Sequence, residues 1–98
     1  MPTIQQTAEF RAWAKSLRDG VAKSRIADRI DRLARGLLGD VQSVGGGVSE
    51  LRIHYGPGYR VYFVQRGDVL IVLLCGGDKG SQARDIARAK ALASTLEE

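Results

Sequence analysis

ELRIHYGPGYRVYFVQRGDVLIVLLCGGDKGSQARD, residues Glu50 to Asp85, decides the fold of this chain. Three apolar-rich runs are separated by Gly56-Pro57-Gly58 and by Arg66-Gly67-Asp68. Strand formers interrupted by such turn residues predict two consecutive β-hairpins. Side chains alternate across a strand, so Leu51, Ile53 and Tyr55 point one way, and Glu50, Arg52 and His54 the other. On the next strand Tyr59, Val61 and Phe63 oppose Arg60, Tyr62 and Val64. The run from Val69 to Cys75 is apolar on both faces, which predicts a central strand covered on each side. If the hairpin register aligns them, helices on the apolar face leave Arg52, His54, Arg60 and Tyr62 together on the other.

Working outward, Thr3 to Gln6 reads as a short strand and Thr7 as the N-cap of a first helix, with Glu9 in its first turn. Phe10, Trp13, Ala14, Leu17 and Val21 recur at helical spacing on one apolar face, and Gly20 marks the expected end. A second helix from about Ala22 to Arg35 buries Ile26, Ile30, Leu33 and, at its margin, Leu37, with Gly36 as the stop. The tight connection predicts an antiparallel helix pair on one sheet face. Arg25, Arg29 and Arg32 form a separate stripe on the second helix, read either as a nucleic-acid contact or as a solvated face. Asp28 with Arg32 and Asp31 with Arg35 are spaced as i,i+4 ion pairs. Gly45-Gly46-Gly47 lacks the Gly-Lys-Ser/Thr of a phosphate loop and leads into a strand, so it is a flexible approach to the first hairpin. A last helix from about Ser81 to Leu96 carries a thin stripe of Ala83, Ile86, Ala89, Ala93 and Leu96. The expected fold class is α+β.

The 98 residues suit a single domain, 1–98, and such a chain buries about 60 to 65% of its unfolded surface. Its apolar runs fall well short of the ~20 residues of a membrane helix, and the polar start lacks a signal-peptide core. The expectation is a cytoplasmic protein with no membrane partner. Cys75, the lone cysteine, has no internal disulfide partner and reads as a small core residue. The net charge of +4 is uneven, because residues 11–35 hold eight Lys/Arg against three Asp, and the rest of the chain seven against eight acidic residues. Such a patch attracts phosphate backbones or an acidic protein.

With these residues in hand, the chain resembles toxins of the RelE/HigB superfamily, specifically the phage-derived addiction-module killer branch. The likeness runs over nearly the whole length: F-x-x-W-x-x-x-L from Phe10, R-I-x-x-R-I-x-R-L from Arg25, Gly39-Asp40, E-L-R-I-H-Y-G-P-G-Y-R-V-Y-F from Glu50, and G-G-D-K-x-x-Q-x-x-D-I from Gly76. The resemblance implies a RelE-like fold: a short N-terminal strand, two antiparallel helices packed on an antiparallel sheet, and a C-terminal helix. It also implies the toxin of a type II toxin–antitoxin system, an endoribonuclease that cuts messenger RNA in the ribosome without a cofactor. The implied partners are the ribosome with its mRNA and a cognate antitoxin, a small helix-turn-helix protein. By the same resemblance Arg60, within G-Y-R, matches the basic residue at the scissile phosphate, with Arg52, His54 and Lys79 lining the cleft.

Metal-free RNA cleavage uses the ribose 2′-hydroxyl as nucleophile, so a proton must leave, charge on phosphorus must be stabilised, and the leaving oxygen must be protonated. The planar fork of arginine suits the middle task, which favours Arg60 and then Arg52. His54, the single histidine, is the proton carrier or else a solvent-exposed residue. Arg60 reads alternatively as a cross-strand partner of Glu50, and Lys79 as a phosphate ligand or as a partner of Asp78. Among the aromatic residues Tyr62 is the candidate for stacking on an RNA base, while Tyr55, Tyr59 and Trp13 belong to the apolar face. Unlike many ribosome-dependent relatives, Gly80 to Glu98 contains neither tyrosine nor histidine, and Gln82 and Asp85 are the nearest polar residues. That departure keeps two alternatives open: a non-enzymatic toxin of the ParE type acting on DNA gyrase, and a non-toxic module that binds nucleic acid or a partner.

Overall fold

The computed structural model describes residues 1–96. Its elements are β1 (Thr3–Gln6), α1 (Ala8–Ser16), α2 (Gly20–Ala34), β2 (Val41–Gly45), β3 (Val48–Ile53), β4 (Tyr59–Arg66), β5 (Leu70–Asp78), a 3-10 turn (Lys79–Ser81) and α3 (Gln82–Ser94). The fold is α+β, with one five-stranded sheet in the order β1-β5-β4-β3-β2. β2 to β5 are antiparallel neighbours, whereas β1 runs parallel to β5, so the sheet is mixed rather than wholly antiparallel. No helix among the described residues is long and apolar enough to cross a membrane.

Two cores lie on opposite faces of the sheet. Leu51, Ile53, Val61, Phe63, Ile71 and Leu73 meet Phe10, Ile26 and Leu33 of the first two helices. Val48, Tyr62, Val64, Val72, Leu74 and Cys75 meet α3 through Ala89, with Ile86, Leu92, Ala93 and Leu96 packed around them. β5 is therefore covered on both faces, as its unbroken apolar run requires.

The ladder shifts register between Ser43 and Gly45 in the β2–β3 hairpin and again between β4 and β5, where the shift sorts side chains between the two cores. Pairing of β4 with β5 passes from Tyr62 opposite Cys75 to Phe63 opposite Leu73, leaving Leu74 as the extra residue of a β-bulge. Leu74 and Cys75 consequently both join the α3 core, and the face sequence is reversed beyond them. A side chain on Gly76 would strike the Trp13 indole of α1, and one on Gly77 would strike the Asp85 carboxylate of α3. The Leu74 carbonyl accepts the Thr7 hydroxyl (2.6 Å), and Thr7 Oγ1 in turn accepts the Phe10 N–H (3.0 Å) as the N-cap of α1.

The helix arrangement differs from the antiparallel pair expected. α1 stops at Ser16, before Gly20, and Leu17 turns extended. Asp19 then caps α2, its Oδ1 accepting from the N–H groups of Val21 (2.9 Å) and Ala22 (3.2 Å), so Gly20 opens the second helix instead of closing the first. Val21 consequently leaves the apolar face of α1 and stands exposed, as does Leu37 beyond Gly36. α1 rests on β5 and β1 while α2 reaches β3, and a groove lined by Phe10, Ala14, Leu17, Ile26 and Ile30 opens between them. The Gly45-Gly46-Gly47 segment is not a loose approach but the turn of an additional hairpin between β2 and β3, with positive φ at all three glycines.

Candidate functional site

Glu50 on β3 has no exposed surface, yet it is ringed by donors. Its carboxylate accepts from Arg52 Nε (2.8 Å), Tyr62 OH (2.9 Å) and Gln82 Nε2 of α3 (2.9 Å), and Arg60 Nε stands 3.9 Å away. The register explains the convergence: Glu50 lies opposite Tyr62 and Arg52 opposite Arg60, all on the α3 side of the sheet. Burial pushes the Glu50 carboxyl up, but the hydrogen bonds from Arg52, Gln82 and Tyr62 outweigh it and hold the group below the usual carboxylate range. An ionised Glu50 offsets the repulsion of two arginines placed directly across the ladder. Burial first, and then the bond to Glu50, push the Tyr62 phenol far above its ordinary value, so it remains a neutral donor.

The sequence-level candidates fall in different places. Arg60 is 93% buried, counting from its 7% exposure, and its Nε has no hydrogen-bond partner. Its cross-strand partner is Arg52, with Glu50 one pair along. Arg52 keeps a third of its side chain at the surface (33%), and its bond to Glu50 raises its already high pKa. Tyr62 is completely buried, which removes it as a stacking platform for RNA: its hydroxyl is committed to Glu50 and its ring to the α3 core. Lys79 is exposed in the 3-10 turn beside the β3–β4 loop, where a side chain on Gly58 would approach its Cβ to 3.3 Å. Asp78, offered as its partner by the sequence, caps that turn by accepting from the Gly80 N–H (2.8 Å).

His54 does not join the arginines on the α3 face. β3 ends at Ile53, so strand alternation no longer governs the next side chain. Its ring instead lines a groove with Ile53 and with Arg25, Asp28, Arg29 and Arg32 of α2. Nε2 is 2.6 Å from Asp40 Oδ2, and the imidazole is 70% exposed. The bond to His54 is the main reason the Asp40 carboxyl sits below its ordinary range.

The α2 stripe is thus brought to His54, with each arginine partly engaged. Arg25 lies over the Tyr55 ring (4.8 Å), Arg32 pairs with Asp28 (3.1 Å), and Arg29 Nη1 donates to the Arg52 carbonyl (2.9 Å). Arg29 is more a strut between α2 and β3 than a free phosphate ligand, since its Nη2 is buried against Gly39. Asp31 and Arg35 form the other anticipated i,i+4 pair (3.1 Å). Among the described residues no group of three or more His, Cys, Asp and Glu is arranged to hold a metal ion.

Sequence reasoning missed Asp40 as the partner of His54 and Gln82 as a ligand of Glu50. Gly39-Asp40 was visible only as a dipeptide, and Gln82 only as a polar residue after the last strand; neither pairing has a local spacing signal, because 14 and 32 residues separate the partners.

An uncharacterized protein of Haemophilus influenzae is 48% identical to the chain over 93 residues, which span 95% of this chain and 94% of that protein. The chain belongs to the family of that protein. No family model matches it. The similarity therefore spans nearly the whole of both chains rather than a single motif.

Proposed function

We propose that the chain is the toxin of a type II toxin–antitoxin pair, of the RelE/HigB kind, and that it cuts messenger RNA in the ribosome. The observation that carries this reading is the Arg52–Arg60 pair held over a buried, ionised Glu50, with the Arg52 fork reaching the surface. A guanidinium oriented from below by a carboxylate is suited to the charge that develops on phosphorus. Arg52 takes the leading role here and Arg60 supports it from within, because Arg60 is the more buried of the two. In the reaction the 2′-oxygen bonds to phosphorus as its proton leaves, the bond to the 5′-oxygen breaks, and that oxygen receives a proton; a 2′,3′-cyclic phosphate and a 5′-hydroxyl result. His54, just past the end of β3 in the α2 groove, is the proton carrier, joined to Arg52 through Asp40, which holds the ring and feels the Arg52 charge, and the ammonium of Lys79 adds positive charge beside the β3–β4 loop.

The test is primer extension on cellular transcripts after induced expression. Cuts inside translated codons are expected, and Arg52→Ala should lower the cleavage rate by about 10²- to 10³-fold, the usual effect of deleting one transition-state donor. The burial of Arg60 and Tyr62 favours one alternative, a non-enzymatic toxin of the ParE type. Growth arrest with intact transcripts and DNA-damage signalling would select it. A short reading frame for an antitoxin beside the gene is the expected genomic context, and a ribosomal target places the protein in the cytoplasm.

A further inference from the structure

The Asp40–His54 pair lies on the surface, where ion pairs are usually loose, but its backbone supports are fixed. The Arg52 N–H donates to the Asp40 carbonyl (3.0 Å), extending the β2–β3 ladder by one step to the corner that carries Asp40. Arg29 Nη1 binds the Arg52 carbonyl from the other side (2.9 Å). Gly39, at φ +65°, leaves the space its guanidinium fills: a Cβ there would lie 2.6 Å from Arg29 Nη2. On the partner strand Ile53, next to His54, is anchored in the core at 2% exposure. Both side chains therefore spring from backbone that has little freedom to move.

An ionised carboxylate only accepts, so the 2.6 Å contact places a proton on His54 Nε2, and the neutral ring then has Nδ1 as its lone-pair nitrogen. The charged groups around the ring are Arg25, Asp28, Arg29 and Arg32 from α2, Asp40 itself, and Arg52 on β3, which acts electrostatically on Asp40. Asp28 is already taken by Arg32, so the groove beside the imidazole keeps a positive excess suited to a phosphodiester. We infer that Asp40 is the positioning residue of His54, holding the ring by Nε2 so that Nδ1 exchanges the proton of a ribose hydroxyl lodged against the α2 arginines. This rests on the RNA-cleaving reading for its substrate, but the held ring can be tested without it.

Nitrogen-15 NMR on the full chain is unambiguous, since His54 is the only histidine. A ring Nε2 proton protected from solvent exchange is expected in the wild type and lost in Asp40→Ala; equally fast exchange in both overturns the proposal. In ribosome-dependent cleavage, Asp40→Ala should lower kcat about tenfold to hundredfold with KM little changed and alter the pH profile. Asp40→Glu should recover much of the rate, and Glu9→Ala, which breaks only the distant Arg88 pair, should leave the profile alone. A protected proton with unchanged kcat and pH profile in Asp40→Ala would overturn the positioning role. A protected proton in a wild type that cuts no RNA would support the held ring and sink the nuclease reading alone.

Discussion

Glu50 shows how a single buried charge can organise a surface. Its three donors come from β3, β4 and α3, so its removal strands groups on all of them. Glu50→Ala should destabilise the protein by about 3 to 5 kcal/mol, the cost of leaving buried partners of an ion pair uncompensated, measured by urea denaturation. The sign of the pH dependence follows from its lowered pKa. A carboxyl depressed in the folded state contributes stability that is present above its unfolded pKa and is lost as the pH falls through the folded value. Glu50→Gln should therefore lose stability less steeply on acidification than the wild type, and parallel acid-unfolding slopes would refute this. Cys75 offers a second residue-scale check. Burial, then the nearby Glu9 and Asp85 charges, push its thiol up to about 12, so iodoacetamide at neutral pH should modify it only after unfolding.

At the scale of elements, the bulge in β5 lets one strand serve two different helices. The Gly76 and Gly77 positions accept Trp13 on one side and Asp85 with Ser81 on the other, and Ser81 Oγ donates to the Asp85 carboxylate. Gly76→Ala should cost about 1 to 3 kcal/mol, as overpacking typically does, and displace the only tryptophan, which a red shift of its emission would report. An unshifted spectrum with full stability would mean the indole has room that the geometry denies. β3, β4 and β5 were legible because two-residue alternation and a doubly apolar run are local signals. β2 was not: Val41-Gln42-Ser43-Val44-Gly45 is short, polar at its centre and at the sheet edge, so it resembles a loop. The α1–α2 corner misled for a related reason, since Gly20 reads as a stop unless the capping carboxylate of Asp19 is credited first.

Across the whole molecule, the positive excess of residues 11–35 and the His54 groove meet through α2, at the exposed end of β3. The RNA binding proposed above should therefore weaken steeply with salt, because each phosphate neutralised releases counterions. A filter-binding series from low to moderate salt measures this, and affinity independent of salt would count against a phosphate-backbone contact. Exposed strong ion pairs such as Arg88 with Glu9 (2.6 Å) should add little to stability by comparison.

The sequence by itself determined the α+β class, the hairpins from Glu50 onward, the capping of α1 by Thr7, the apolar stripes apart from Val21, Leu37 and Ala83, which are exposed, and the arginine-rich stretch, because each depends on residues a few positions apart. Only the tertiary structure decided that Arg60 and Tyr62 are buried, that Glu50 gathers four side chains, and that His54 turns from the α3 face towards Asp40 and α2. Those outcomes hang on where strands end and which distant donors the fold brings within reach. Alternation and spacing carry no information about either.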